Sequence, residues 1–550
     1  MFVGFWTIAI DGQTAQKNFN RVRTYDVQHY LIKTGFDRKN RTIAGETVIS
    51  LKPLNRDFAR VELDAADMKF ESVTFDGESK QLVYKIAGEK LTIELGRRFA
   101  PKDLIKIRLK YTAKPRKGVY FVPAEVDRGG RVTRAAQVWT QGEPEEAHHW
   151  FPSYDFPDDK ATTEQFVTAE AGETVIASGE LVETTPNADG TQTFHFLMNI
   201  PHSTYLTSFV VGKYIKQSDS YRNIPLGYYV YPGREDLFKP AFGNTKEMMR
   251  IYEELTGVEF PYMKYDQTIV ARFQFGGMEN ITATTYADTE LFFYDYNPKI
   301  VEDVVSHELS HSWFGDLVTC RNWAELWLNE GFATFMEAAY REKMYGREEY
   351  LGKLRDDLFE YFAFEATAKP KRGLYNRFAR PDQSIFDAVT YQKGGLVLHT
   401  LRETVGNEAF WKAVRIYLNR HRLGNVETAD LQRAFEEASG KNLKWFFDQW
   451  VYGTGYPQLD VAYRHDPNSR KILITVTQTQ KPADSSVAVF RFPLEVEIKT
   501  DAGSKIEKLD ITKRTETFAV PADLPPTGIE VDPALRVPVK FVKVLDSSTH

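Results

Sequence analysis

The stretch VVSHELSHSWFGD, Val304 to Asp316, sets two histidines, His307 and His311, four residues apart, with Glu308 directly after the first. In the longer segment YNPKIVEDVVSHELSHSWFGD, Asn297 suits a helix N-cap, Pro298 its first turn and Gly315 its end. The spacing therefore predicts one continuous helix carrying both imidazoles on one face, where they can hold a single ion. Ile300, Val304 and Phe314 fall on the same stripe, which predicts that the pair points inward.

Two ligands do not make a catalytic zinc site, which needs a third protein ligand and an open position. The segment WLNEGFATFMEAAY, Trp327 to Tyr340, is strongly helical in pattern and carries Glu330 nineteen residues after His311. Packed against the first helix, it brings a carboxylate to the ion. Glu308 projects off the ligand stripe toward the open position, where a carboxylate can act as general base. The reaction class that follows is metal-assisted attack of water on a carbonyl.

Composition narrows the rest. At 550 residues, about three domains are expected. The net charge of -6 gives no electrostatic reason to expect nucleic acid or an anionic membrane, and leaves small molecules or peptides as partners. The single cysteine, Cys320, excludes an intrachain disulfide and a thiolate cluster, so any metal is held by imidazole and carboxylate, and Cys320 reads as a buried small hydrophobe. No apolar run is long enough for a membrane-spanning helix. The apolar start MFVGFWTIAI lacks a basic segment before it and a cleavage signal after it, so residues 1–16 read at most as a signal remnant. A soluble protein is expected, cytoplasmic or secreted.

The chain changes texture twice. From about residue 20 to 215 the period is two, clearest in IKIRLKY, Ile105 to Tyr111, as half-buried antiparallel strands require. NTKEMMRIYEELTG then opens with Asn244 and Glu247 in capping-box spacing and closes at Gly257, which predicts a helix. Helical patterns dominate to Gly453. After GTGYP, alternation returns in KILITVTQ and LEVEIKT, which predicts a small β-sandwich. The expected fold class is multi-domain α and β, with limits at 17–218, 219–453 and 454–550.

These motifs resemble the gluzincin aminopeptidases, the family of aminopeptidase N and leukotriene hydrolase, whose HExxH helix is followed by the glutamate of an NEGFA helix. Further segments carry the resemblance. TQGEPEEAHHWFPSYDFP and IPHSTYLTSFVVGKY are similar to the family's first domain, GGMEN to its exopeptidase motif, and FDAVTYQKGGLVLHTL to its tyrosine segment. Together they span roughly Gln141 to Gly455. The resemblance implies a saddle-like N-terminal β domain, a thermolysin-like catalytic domain and one zinc ion held by His307, His311 and Glu330. It also implies an oxyanion-binding Tyr391, and an exopeptidase strand of Gly276, Gly277, Met278, Glu279 and Asn280.

Two glycines would let that strand lie close to a substrate backbone. The resemblance assigns the free α-amino group of a peptide to Glu279, with Glu143 as a second acidic contact and Gln141 near the pocket for the first side chain. His148 and His149 read as structural, because adjacent side chains diverge. Here the chain departs from the family, which more often has arginine after the alanine and cysteine at the position of Ser153.

The function implied is removal of the amino-terminal residue from peptides. A leukotriene-hydrolase-like bifunctional enzyme, or a silent scaffold of the same fold, are the alternatives. Larger relatives add a helical domain that roofs the site, so a more open cleft, or closure by self-association, is also expected.

Overall fold

The computed structural model describes residues 20–292 and 297–546. The apolar segment at residues 1–16 lies outside the described residues. A large β-rich region comes first, a mainly helical region second, and strands return at the end. No helix among the described residues is long and apolar enough to cross a membrane.

The first region is organised by a seven-stranded sheet. Strand Tyr25–Asp37 runs antiparallel to Thr42–Pro53 and parallel to Ala161–Ala169. Strand Ile105–Ala113 behaves as its alternation requires: Ile105, Ile107, Leu109 and Tyr111 are buried while Lys106 and Lys110 face water. A four-stranded sheet beside it contains Gln137–Thr140, every residue of which is buried. The chain leaves this strand directly into the loop that carries Gln141 and Glu143. Trp139 fixes the exit by stacking on Tyr120 at 4.3 Å and donating its Nε1–H to the carbonyl of Ala271 at 3.2 Å.

A five-stranded sheet precedes the helices. It runs in the order Ile215–Tyr221, Ile224–Val230, Tyr265–Val270, Ala283–Ala287 and Gly277–Met278, so the two-residue Gly277–Met278 strand forms an edge. Helix Thr245–Thr256 ends as expected at Gly257, whose φ of 66° is left-handed. Its capping box does not form: Asn244 turns its amide to Glu302 at 2.8 Å, and Glu247 pairs with Arg250. A tertiary carboxylate outcompetes the local cap.

Helix Trp327–Tyr345 is the centre of the helical region. It is buried on every side from Trp327 to Arg341, so it is a core helix and not an amphipathic surface helix. The terminal strands form a four-stranded and a three-stranded sheet. In LEVEIKT the apolar positions Leu494, Val496 and Ile498 are buried as the pattern requires. Glu495 breaks the strict alternation, being buried too, because Arg536 Nε stands 2.7 Å from its carboxylate.

Candidate active site

The helix that carries the histidines spans Pro298–Ser310, with the Asn297 side chain accepting the Lys299 N–H at 3.1 Å and Pro298 in the first turn. It stops short of the expected Gly315. His311 keeps helical dihedrals and its N–H still bonds to His307 O, but beyond it the chain folds back. The turn has a purpose visible in the bonding: His311 Nδ1 donates to the carbonyl of Phe314 at 2.8 Å. Gly315 permits this fold, with a φ of 132° and space for a Cβ only 3.0 Å from His311 Nδ1.

The stripe on this helix does not face the core throughout. Phe314 is buried, stacked on Phe332 at 4.3 Å, but Ile300 is 44% exposed and Val304 half-buried. Both line a cleft of about 920 Å³ together with the site carboxylates. Apolar residues at the mouth therefore offer surface to a bound molecule.

Glu330 lies in the first turn of the core helix and meets both imidazoles. Its Oε2 is 3.2 Å from His307 Nε2 and 3.4 Å from His311 Nε2. With each Nδ1 engaged elsewhere, both Nε2 atoms converge on one point beside a carboxylate, and the donor set of two imidazoles and one carboxylate fits a zinc ion. Against the cost of burial, His311 and His307 hold Glu330 down at about 2.

Sequence reasoning missed the residue that orients His307. His307 Nδ1 donates to Glu337 Oε1 at 2.7 Å, and Lys353 Nζ lies 2.9 Å from Glu337 Oε2. A ring nitrogen held by a carboxylate leaves the other nitrogen as the ligand and fixes the ring. The signal was available, since Glu337 follows Glu330 by seven residues and so lies on the same helix face.

Glu308 lies on the cleft wall, buried against the edge strand. A Cβ at Gly277 would overlap its carboxylate, so any side chain there displaces Glu308. Burial pushes Glu308 up to about 8; His307 and His311 oppose this, while Glu279 and Glu330 add to it. Gly277→Ala should still fold, because the Glu308 side chain and not backbone must move, yet lose activity about a hundredfold, because the displaced group is the candidate base. Steady-state kinetics beside a thermal melt would check this, and wild-type activity in the variant would refute it.

Glu279 and Glu143 close the other side. Glu143, Glu279 and Glu330 each place a carboxylate oxygen within 4.8 Å of the others. Glu143 Oε1 and Glu279 Oε1 are buried without a hydrogen-bond donor, although His311 Nδ1 stands 4.0 Å from Glu279. Burial raises both acids; for Glu143 the charges of Glu279 and Glu330 add to it, and for Glu279 that of Glu330 does so against the pull of His311.

The Glu143 loop is held firmly. Gly142 packs on the Tyr205 carbonyl where no Cβ would fit, and Glu145 is anchored by Arg21 and by Trp323 Nε1 at 2.9 Å. Gln141 and Met278 meet across the cleft, with Gln141 Nε2 3.1 Å from the Met278 sulfur. Gly276 also lines the cleft, while Asn280 is fully buried behind it and donates to Thr285 Oγ1 at 3.1 Å.

Tyr391 sits on a five-residue π-helix, Val389–Lys393, with its ring stacked on His307 at 5.9 Å and 14°. A glycine pair brings it there: a Cβ on Gly331 would lie 2.9 Å from Gly394 Cα, so the segment after Tyr391 touches the core helix just beside Glu330. Burial and the nearby carboxylates raise the phenol well above its usual range, which favours its neutral form.

His148 and His149 have their own partners. Their Nδ1 atoms donate to Asp155 at 2.7 Å and Asp67 at 3.0 Å, and the nearby Glu89 takes the Arg116 guanidinium at 3.2 Å. The rings do lie side by side, their centroids 4.7 Å apart, contrary to the expected divergence.

A fold of this order, with two imidazoles on one helix and a carboxylate on the next, defines a gluzincin-type centre. Residues 26–206 match the Peptidase M1 N-terminal domain and residues 240–450 the Peptidase family M1 domain, and the chain belongs to that family, that of aminopeptidase N. It is 34% identical to aminopeptidase N of Streptomyces lividans over 58% of this chain and 38% of the relative. It is 29% identical to aminopeptidase 2 of Candida albicans over 88% of this chain and 53% of the relative. It is 28% identical to tricorn protease-interacting factor F2 of Thermoplasma acidophilum over 87% of this chain and 59% of the relative. The chain thus spans about half the length of the curated relatives it matches.

Proposed function

We propose that this chain is a zinc-dependent aminopeptidase that releases the amino-terminal residue of peptides. The observation that carries the reading is the juxtaposition of a three-ligand donor set with two buried carboxylates, Glu143 and Glu279, that lack donors of their own. An ion satisfies the first and a substrate ammonium the second. The aminopeptidase names of the relatives support the same reading.

In this reading His307, His311 and Glu330 hold one zinc ion, which when bound supplies a Lewis acid for the scissile carbonyl and lowers the pKa of water. Glu143 and Glu279 grip the free amino group and so fix the first peptide bond over Glu308. Glu308 takes a proton from the attacking water and returns it to the departing amine. Tyr391 donates to the oxyanion that develops in between. Gln141 and Met278 border the first side chain, and Gly276 and Gly277 allow the substrate backbone to approach the edge strand.

We read the β-rich region as the saddle-like domain, the middle as thermolysin-like and the two terminal sheets as a sandwich from about residue 454. We draw the first limit just before Ile215, ahead of 218, because strand Ile215–Tyr221 pairs with the sheet of the next domain.

Removing the metal tests the proposal most directly. Chelation should lower hydrolysis of a free-amine aminoacyl reporter on the order of a thousandfold, and one equivalent of zinc per chain should restore it. Full activity in metal-free protein would overturn the mechanism. Stoichiometric zinc with no hydrolysis would favour a scaffold.

A further inference from the structure

The π-helix that carries Tyr391 starts a new helical segment, so the N–H groups of its first turn need partners from the residues before it. Asp387 supplies them. Its Oδ1 accepts from Val389 N at 2.9 Å and Thr390 N at 3.1 Å, and its main-chain carbonyl accepts from Tyr391 N at 3.1 Å. Asp387 is in turn held by Arg372, whose Nε donates to Oδ2 at 3.2 Å and whose Nη2 donates to Oδ1 and to Thr390 Oγ1, the latter at 2.6 Å. Thr390 Oγ1 donates onward to Ile385 O at 2.7 Å.

The guanidinium has a fixed base of its own. Its Nη1 donates to Gly373 O at 3.0 Å, and Gly373 is wedged so closely beneath the Val451 carbonyl that a Cβ there would lie 2.6 Å from it. A planar fork anchored at both ends is stiff in a way that a lysine would not be.

We propose that Arg372, acting through Asp387 and Thr390, is a positioning residue that sets where the Tyr391 phenol stands. The proposal rests on the reading of Tyr391 as the oxyanion donor. Since that hydrogen bond is made only as negative charge develops, a misplaced phenol lowers kcat and leaves KM nearly unchanged. A pair that only stabilised the fold would not produce this split.

The test is a double-mutant cycle with Tyr391→Phe in the zinc-loaded enzyme, with zinc content and melting temperature recorded. Arg372→Met is expected to lower kcat about 10- to 100-fold with KM within about twofold, since an ångström of misplacement is enough for such a loss. Arg372→Lys should fall between it and the wild type. In the Tyr391→Phe background the Arg372 substitution should cost less than about twofold, because the group it positions is gone.

An additive loss in that background, a matching rise in KM, or an unchanged kcat would overturn the proposal. If Arg372→Met does not fold, the lysine variant carries the same cycle. Should Tyr391→Phe keep full activity, the oxyanion role fails and this proposal with it. If Tyr391→Phe is crippled while the Arg372 variants are not, only the positioning role is lost.

Discussion

Glu308→Gln is expected to retain one zinc per chain and to lose activity by about a hundred- to ten-thousandfold, equivalent to about 3–5 kcal/mol of transition-state stabilisation. The ligand set is untouched, because His307, His311 and Glu330 hold one another's geometry, and Glu337 and the Phe314 carbonyl fix the two rings independently of Glu308. Glutamine has nearly the shape of glutamate, so the packing against Gly277 survives. What it lacks is an oxygen that can take up the proton of the attacking water. KM should stay within a few-fold, since the amino-group contacts proposed for Glu143 and Glu279 are left intact. Metal analysis beside steady-state kinetics separates the outcomes, and a variant that holds zinc and works at near wild-type rate would remove Glu308 from the base role.

How far the sequence disclosed this site depends on the range of the interaction involved. His307, His311 and Glu308 were legible because four-residue spacing on a helix is a local property, and Glu330 because a second helical pattern followed closely. Tyr391 and Glu143 were reachable only through resemblance, as nothing local marks one tyrosine or one glutamate among many.

Two failures were long-range: Asn244 abandoned its cap for Glu302, and Glu495 was drawn inward by Arg536. A third was local, as the histidine helix ended early in a turn where His311 Nδ1 donates to the Phe314 carbonyl three residues on. The touching glycines Gly331 and Gly394, which let the segment after Tyr391 meet the core helix, carry no periodic signal at all. Period and capping rules recovered the order of the β-rich and helical regions and of the returning strands, yet the short strands between Ile215 and Ala287 were hidden under the helical signal.

Blocking the substrate's amino group should have an effect of similar size to removing the base. An acetylated amino terminus carries no charge and is bulkier, so it would leave Glu143 and Glu279 buried together with no cation between them. Losing one partner of a buried, hydrogen-bonded charge pair costs about 2–5 kcal/mol, and kcat/KM for N-acetylated peptides should fall by about 10²- to 10⁴-fold.

The same argument predicts which variant narrows the gap. Glu279→Gln should lower turnover of free peptides far more than that of acetylated ones, because only free peptides use its charge. Comparing paired peptides, free and acetylated, on both proteins separates an anchoring role from a general weakening of the cleft. Equal turnover of the two peptides by the wild type would refute the exopeptidase reading and leave an endopeptidase. An unchanged ratio in Glu279→Gln would shift the anchor to Glu143 alone, whose Oε1 is equally buried and equally without a donor.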